Sequence, residues 1–223
     1  MTDATITVDR YGVMGYPVSH SRSPVIHRLF ALQTGQQMQY ELLQVSPEKL
    51  ETAVRQFQRT GGKGLNITVP HKQAVLELVD QLSERAATAG AVNTLSFRDT
   101  EILGDNTDGI GLLRDLNVNL GVPLQGANIL VLGAGGATRG IVGPLLEMRP
   151  KALRIANRTL DKAQVIAADF DRYGPITACG FNMVPVSEPY DVVINATSAG
   201  LGGETPPYPA AAVSERTFCY DLS

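Results

Sequence analysis

The stretch from Asn128 to Thr159, NILVLGAGGATRGIVGPLLEMRPKALRIANRT, constrains this chain more than any other. An apolar run, Ile129 to Leu132, enters Gly133-Ala134-Gly135-Gly136-Ala137-Thr138. A helical pattern follows, and a second apolar run, Leu153 to Ala156, ends in Asn157-Arg158-Thr159. This is the pattern of a βαβ unit with a Gly-rich first turn. Gly133 permits the tight turn out of the strand. Gly135 lets the backbone approach a pyrophosphate with which a Cβ would collide. The helix that begins near Gly136 aims free N–H groups and its positive dipole end at the same phosphates. Residues 133–138 are thus the expected phosphate-binding turn of a dinucleotide-binding domain, with Thr138 where a third Gly or Ala is usual.

The end of the second strand selects between dinucleotides. An NAD site places an Asp or Glu about 20 residues past the glycines, on the ribose 2′-OH. Here that place holds Asn157, followed by Arg158 and Thr159, and no carboxylate. A guanidinium there would pair with a 2′-phosphate, so NADP is expected. Asn157 and Thr159 also suit the cap of a helix over Leu160 to Phe170, and both roles are compatible.

At 223 residues, one or two domains are expected at about 150 residues each. The 43% hydrophobic and 18% charged content is that of a globular protein. The net charge of −3 gives no general attraction for nucleic acid or anionic membrane. No apolar run approaches the roughly 20 residues that span a bilayer. The opening residues, MTDATITVDR, are polar and lack a signal-peptide core, so a cytoplasmic location is expected. Cys179 and Cys219 are far apart, and His20, His27 and His71 are scattered, so no metal site is expected.

The rest of the chain alternates strand and helix patterns, which favours a largely parallel α/β sheet. RYGVM (10–14) reads as a strand. It leads through a loop to Ser23 as N-cap and Pro24 at the first helical position of a helix that buries one face and stops at Gly35. YELLQV (40–45) is a strand, and Ser46-Pro47-Glu48 opens an amphipathic helix to about Arg59. Gly61 to Gly64 reads as a turn, LNITV (65–69) as a strand, and Gln73 to Leu82 as a helix. A short helix ends at Gly90, and a hairpin of 93–97 with 101–103 turns at Asp99-Thr100. Gly104 to Gly109 reads as an irregular polar loop, and a helix from Ile110 to about Asn117 joins two domains, 1–109 and 110–223. Later strands are 176–179, 191–195 and 217–222. Ala196-Thr197-Ser198-Ala199-Gly200 lies at a strand's C-terminal end, where doubly wound sheets bind ligands. Pro144 should kink the helix that follows the Gly-rich turn.

Several residues could carry chemistry. Lys72, in the first turn of a helix, would be disfavoured as a cation by the dipole and so become a better proton carrier. Asp105 and Asp108 lie among many side-chain donors and acceptors. Taken singly, a solvated lysine and a turn aspartate are the plainer readings. Ser21 and Ser23 stand at a helix N-terminus suited to a carboxylate or phosphate, though plain capping explains them as well.

Taken together, the motifs resemble those of the shikimate dehydrogenase family. They are Ser19-His20-Ser21-Arg22-Ser23-Pro24, Asn66-Ile67-Thr68-Val69-Pro70-His71-Lys72, Ala91-Val92-Asn93-Thr94, Gly104-Asp105-Asn106-Thr107-Asp108-Gly109, Gly133-Ala134-Gly135-Gly136-Ala137, Asn157-Arg158-Thr159 and Asn195-Ala196-Thr197. They occur in the family's order from about Tyr11 to the end. The resemblance implies an N-terminal α/β substrate domain, a C-terminal Rossmann-like NADP-binding domain, and a site in the cleft between them. It implies NADP-dependent interconversion of 3-dehydroshikimate and shikimate, in aromatic amino-acid biosynthesis, by a monomer or homodimer. Ser21 and Ser23 would bind the substrate carboxylate, and Thr68, Asn93 and Asp105 its ring hydroxyls. Lys72 would be the catalytic acid/base, oriented by Asp105. Residues 133–138 and Thr197 would hold the cofactor, with Asn157, Arg158 and Thr159 on its 2′-phosphate. The family continues past the position of Ser223 with a tyrosine on the carboxylate and a Gly- and Gln-bearing stretch, so this sequence is expected to lack the family's C-terminal segment.

Two other functions compete. A quinate/shikimate dehydrogenase using NAD would want an acidic residue where Asn157-Arg158 stands. A non-catalytic NADP-binding module would have no need of both Lys72 and Asp105.

Overall fold

A computed structural model describes residues 8–199 and 204–222, so Gly200 at the end of the 196–200 stretch lies outside the described residues. The chain divides into two compact units, Met1–Asn106 and Thr107–Ser223.

The first unit is built on a six-stranded mixed sheet. Its strands are β1 (Asp9–Gly15), β2 (Met38–Gln44), β3 (Gly62–Ile67), β4 (Gln81–Leu82), β5 (Thr94–Arg98) and β6 (Glu101–Asp105), in the order β2-β1-β3-β5-β6-β4. β1 runs parallel to both β2 and β3, because helices α1 (Ser23–Thr34) and α2 (Leu50–Arg59) supply the crossovers. β5 runs antiparallel to both β3 and β6, and the tight turn at Asp99 (φ 51°) closes the β5–β6 hairpin. The largely parallel sheet expected for this half is therefore mixed. Its core gathers Met14, Leu65, Ile67 and Leu95 from the strands with Leu50, Val54 and Phe57 from α2.

The second unit holds five parallel strands: β7 (Asn128–Leu132), β8 (Ala152–Asn157), β9 (Ile176–Gly180), β10 (Val192–Asn195) and β11 (Phe218–Asp221), in the order β11-β10-β7-β8-β9. β7 is buried on both faces. Ile129 and Val131 join one apolar cluster, and Leu130 and Leu132 the other. That is why this run is continuously apolar rather than alternating. The strand order reverses at β7, so the C-terminal ends of β7 and β10 form the switch point of a doubly wound sheet. Helices α5 (Gly136–Glu147) and α6 (Leu160–Phe170) follow β7 and β8.

Several expectations fail, each for a local reason. Gly62 to Gly64 belong to β3 rather than a turn: Gly62 lies against Phe57, and Gly64 has no room for a Cβ beside the Leu95 carbonyl. No α-helix covers Gln73 to Leu82. A 3₁₀ helix spans Ala74–Leu78, and Gln81 and Leu82 then pair with Leu103 and Gly104 as β4. Asp105 ends strand β6 rather than lying in an irregular loop, and α4 (Asp108–Leu113) starts two residues before Ile110. Ser23 is inside α1, not its N-cap: Arg22 holds that place, and the Ser23 N–H donates to Ser21 Oγ at 3.3 Å. α1 stops at Gly35 in the left-handed region as expected. Its apolar face is not buried, with Val25, Ile26, Leu29, Phe30 and Leu32 all exposed and Ala31 the buried residue. Periodicity groups residues on one face, and among the described residues nothing covers this one.

Pro144 sits inside a helix assigned without a break from Gly136 to Glu147. Its ring and the Gly140 carbonyl receive Gly109 of α4: a Cβ on Gly109 would lie 2.5 Å from Gly140 O and closer still to Pro144 Cγ. Proline has no N–H to give Gly140, so this carbonyl can face a neighbouring helix instead. Gly109→Ala is therefore expected to cost about 1–3 kcal/mol through overpacking. A thermal melt should show a drop of several degrees, and an unchanged melt would refute this packing role.

Candidate active site

In the first unit, main-chain hydrogen bonds draw the expected substrate residues together. The Thr68 N–H donates to Met14 O (2.9 Å), which holds the end of β3 against the end of β1. Gly15 lies so close to Thr68 Cγ2 that a Cβ there would collide with it. The Ile67 N–H donates to Asn93 O (2.7 Å). Two successive N–H groups then hold the two proposed catalytic residues: Val92 donates to Lys72 O (2.7 Å) and Asn93 to Asp105 O (3.0 Å). Thr68, Lys72, Asn93 and Asp105 thus converge at one end of the central strands, from just after β3, the loop beyond it, the start of β5 and the end of β6.

A side-chain chain extends from that end to Ser21 and Ser23. Ser21 Oγ donates to Ser23 Oγ (3.1 Å), and Ser23 hydrogen-bonds the Tyr40 hydroxyl. Tyr40 donates to Asn66 Oδ1 (2.6 Å), and its ring stacks on His27 with centroids 4.1 Å apart. Burial pushes the Tyr40 hydroxyl up to about 12, so it stays a neutral donor. Asn66 Nδ2 reaches Thr94 Oγ1 (3.4 Å), which donates to Asn93 Oδ1 (2.8 Å). Side-chain hydrogen bonds therefore link Ser21, Ser23 and Asn93, main-chain bonds tie Lys72 and Asp105 to the same segment, and Thr68 is held separately against Met14. Sequence reasoning missed Tyr40 and Asn66 as parts of this network. Asn66 opens the Asn66-to-Lys72 motif, and its place on β3 was the signal available.

Asp105 is more constrained than its sequence context suggested. Oδ1 accepts from Ser83 Oγ (2.6 Å), Arg85 Nε (2.7 Å) and the Asn106 N–H (2.8 Å), and Oδ2 accepts from Arg85 Nη2. The Arg85 guanidinium holds the carboxyl below the ordinary aspartate range, burial opposes it, and Ser83 and the Asn106 N–H add to the lowering. Lys72 precedes a 3₁₀ helix of five residues, so the α-helix dipole expected to act on it is absent. His71, beside it, is buried, with Nε2 2.7 Å from Val45 O. The ring ties the Lys72 loop to the chain just after β2.

In the second unit, Gly133 turns with φ 104°, and a Cβ there would meet the Ala196 carbonyl at 2.9 Å. The turn thereby meets Ala196 and Thr197 at the switch point. Gly135 is extended at the helix N-cap with no protein atom near its missing Cβ, and no side chain caps the first turn of α5. The N–H groups of Gly136, Ala137 and Thr138 therefore border a cradle that a side chain would fill, as a bound pyrophosphate requires. Thr138 explains its own departure from Gly or Ala: it is fully buried and donates to Gly133 O (2.9 Å), closing the turn onto the helix. Thr197 Oγ1 donates to Asn195 Oδ1 (2.7 Å).

At the end of β8, Asn157 Nδ2 donates to Thr159 O (2.8 Å) rather than capping α6. Thr159 stands at the N-cap but makes no side-chain cap bond. Arg158 is exposed with no partner among the described residues. A free guanidinium, a free hydroxyl and no carboxylate fit a 2′-phosphate. Among the described residues no cluster of His, Cys, Asp and Glu could hold a metal ion, and no helix is long and apolar enough to cross a membrane.

A doubly wound parallel sheet with a Gly-rich turn at its switch point is the architecture of a nicotinamide-dinucleotide-binding domain, the class found in NAD(P)-dependent oxidoreductases. Comparison with known proteins narrows that class. The family model described as the shikimate dehydrogenase substrate binding domain matches residues 13–95, and the shikimate / quinate 5-dehydrogenase model matches residues 117–202. The shikimate dehydrogenase (NADP(+)) of Methylococcus capsulatus is 52% identical over 216 residues, covering 96% of this chain and 77% of the relative. Among solved structures, an Ael1 enzyme from Pseudomonas putida aligns with TM-score 0.84 and 44% identity over 96% of this chain and 79% of its own. The shikimate 5-dehydrogenase of Thermus thermophilus, in complex with NADP(H) and shikimate, aligns with TM-score 0.82 and 33% identity over 96% and 78%. The chain belongs to the shikimate dehydrogenase family. These relatives are longer, and the chain spans a little over three quarters of each.

Proposed function

We infer that this chain interconverts 3-dehydroshikimate and shikimate with NADP, in the shikimate pathway, as a monomer or homodimer in the cytoplasm. Residues 1–109 carry substrate and proton transfer, and residues 110–223 carry the cofactor. The observation that supports this most is the pair of adjacent N–H groups, Val92 and Asn93, gripping Lys72 and Asp105 in the part that the substrate-binding model matches.

NADP, when bound, supplies the hydride acceptor for the alcohol and, reduced, the hydride donor for the ketone. Ser21 and Ser23 bind the substrate carboxylate with their hydroxyls. Thr68, Asn93 and Asp105 fix the ring hydroxyls. In the reductive direction Lys72 Nζ gives a proton to the ring carbonyl oxygen as the carbonyl carbon is reduced, and in the oxidative direction it takes that proton back. Asp105, held as a carboxylate, accepts a hydroxyl hydrogen bond and does not itself carry the proton. Gly133, Ala134, Gly135, Gly136, Ala137 and Thr138 hold the pyrophosphate and Thr197 borders it, with Asn157, Arg158 and Thr159 on the 2′-phosphate.

The test is NADPH formation, followed by absorbance, with shikimate and NADP and with quinate and NAD as controls. Turnover confined to shikimate with NADP is expected. Turnover with quinate and NAD at a comparable kcat/KM would reassign both cofactor and substrate.

A further inference from the structure

His27 takes no part in the steps above, yet the fold sets it against the carboxylate subsite. Ser23, His27 and Ala31 recur along one line of α1, and Ala31 is the buried residue of that helix. The three therefore lie on its inward side, opposite the exposed apolar face. Residues so spaced stand about 6 Å apart at their Cβ atoms. The His27 ring lies flat on Tyr40 of β2, 4.1 Å away with the planes 9° apart, and Phe30 meets its edge at 5.9 Å. His27 also hydrogen-bonds the Asn66 side chain of β3, in a bond that favours the charged ring. His27 is therefore the donor, and the acceptor in an asparagine side chain is Oδ1. Asn66 Oδ1 thus accepts from both Tyr40 and His27, and Ser23 hydrogen-bonds the same Tyr40 hydroxyl. Two short routes join His27 to the hydroxyl that is to hold the substrate carboxylate, one along the helix and one through Tyr40.

Burial holds His27 below the ordinary histidine range, and its bond to Asn66 opposes that shift, so the ring is chiefly neutral at pH 7. The strands facing it supply no counter-charge. Tyr11 pairs with Tyr40 across β1 and β2, and burial raises both hydroxyls, which keeps them neutral. Asp9 is exposed at the start of β1, where it acts on Tyr11. Arg10 and Glu41 alternate to the other face and pair there at 3.1 Å. Arg22 and Arg28, its neighbours along the chain, are exposed. Asp105 is taken up by Ser83 and by Arg85 at the start of α3 (Glu84–Ala89). We propose that His27 is a positioning residue of the carboxylate subsite whose charge follows its occupancy: a substrate carboxylate on Ser21 and Ser23 draws a proton from solvent onto the His27 ring, and the imidazolium helps hold that carboxylate in place. The ring nitrogen that does not donate to Asn66 takes the proton, so the contacts to Asn66 and Tyr40 survive the change. This deepens the functional reading above and rests on it for the placement of the carboxylate.

The test is NMR titration of the His27 ring in the full wild-type chain, resolved from His20 and His71, without ligand and saturated with shikimate. A unit charge about 7 Å away, in an effective dielectric of about 40–80, should raise the ring's pKa by roughly half to one unit. The sign carries over to binding. A group whose pKa is higher in the complex strengthens binding below its ligand-free pKa and loses that contribution above its pKa in the complex. Shikimate Kd should therefore tighten roughly three- to tenfold between about pH 8 and about pH 5.5, where a carboxylate stays ionised. His27→Gln keeps a donor for Asn66 but cannot titrate, so the ratio of its two Kd values should fall below the wild-type ratio by that same factor. A structural role alone would shift Kd at both pH values and leave the ratio as it was, which would overturn the proposal. An unmoved His27 pKa, with shikimate shifting the Ser21 and Ser23 N–H signals, would overturn it too while leaving the carboxylate reading in place. Bound shikimate that leaves Ser21 and Ser23 unshifted would overturn both.

Discussion

Lys72→Ala is expected to lower kcat by about 10³-fold, within the range of about 10²–10⁴ that a positioned general acid or base supplies, and to leave NADP binding unchanged. The clean reading depends on what the substitution spares. The bond that fixes position 72, Val92 N–H to Lys72 O, is a main-chain bond, and alanine retains it. Lys72 is only half-buried, so truncation opens no large cavity. Loss of turnover with an unaltered melting curve would therefore report chemistry rather than unfolding. Lys72→Arg should remain slow, since guanidinium does not release its proton near neutral pH. A kcat within threefold of wild type for Lys72→Ala would remove Lys72 from the mechanism.

Arg158→Ala should raise KM for NADP by about 10- to 100-fold while leaving KM for NAD nearly unchanged. Hydrogen bonds to a charged group contribute roughly 1.5–3 kcal/mol, and each 1.4 kcal/mol is about tenfold. The effect should be selective because Arg158 has no partner among the described residues, so its loss unbalances no internal charge. Asn157→Asp combined with Arg158→Ala should go further and favour NAD, by offering a carboxylate to the ribose 2′-OH where Asn157 now ties down Thr159 O. An unchanged NADP/NAD preference in both would place the 2′-phosphate elsewhere.

The cofactor sheet was legible because its signals are local. Gly133 needs a positive φ, β7 reads as an unbroken apolar run because both its faces are buried, and Arg158 follows its strand directly. The substrate unit was legible as motifs but less so as structure. The helix drawn over Gln73 to Leu82 shrank to a 3₁₀ helix over Ala74–Leu78, because Gln81 and Leu82 pair as a strand with Leu103 and Gly104 of β6. That same long-range pairing puts Ser83 and Arg85 against Asp105, which is why neither drew notice in the sequence. The one-sided pattern of α1 identified a face correctly and its burial wrongly, since periodicity carries no information about what covers a surface.

The grip of Val92 and Asn93 on Lys72 and Asp105 has an evolutionary side. Because these bonds run through the backbone, the spacing of the two proposed catalytic residues follows from strand register rather than from the side chains at the neighbouring positions. Sequence around the site can drift widely without moving the pair. A proline at either position, or an insertion between them, would separate the two residues at once, so variation in this lineage should be generous in side chain and strict in length.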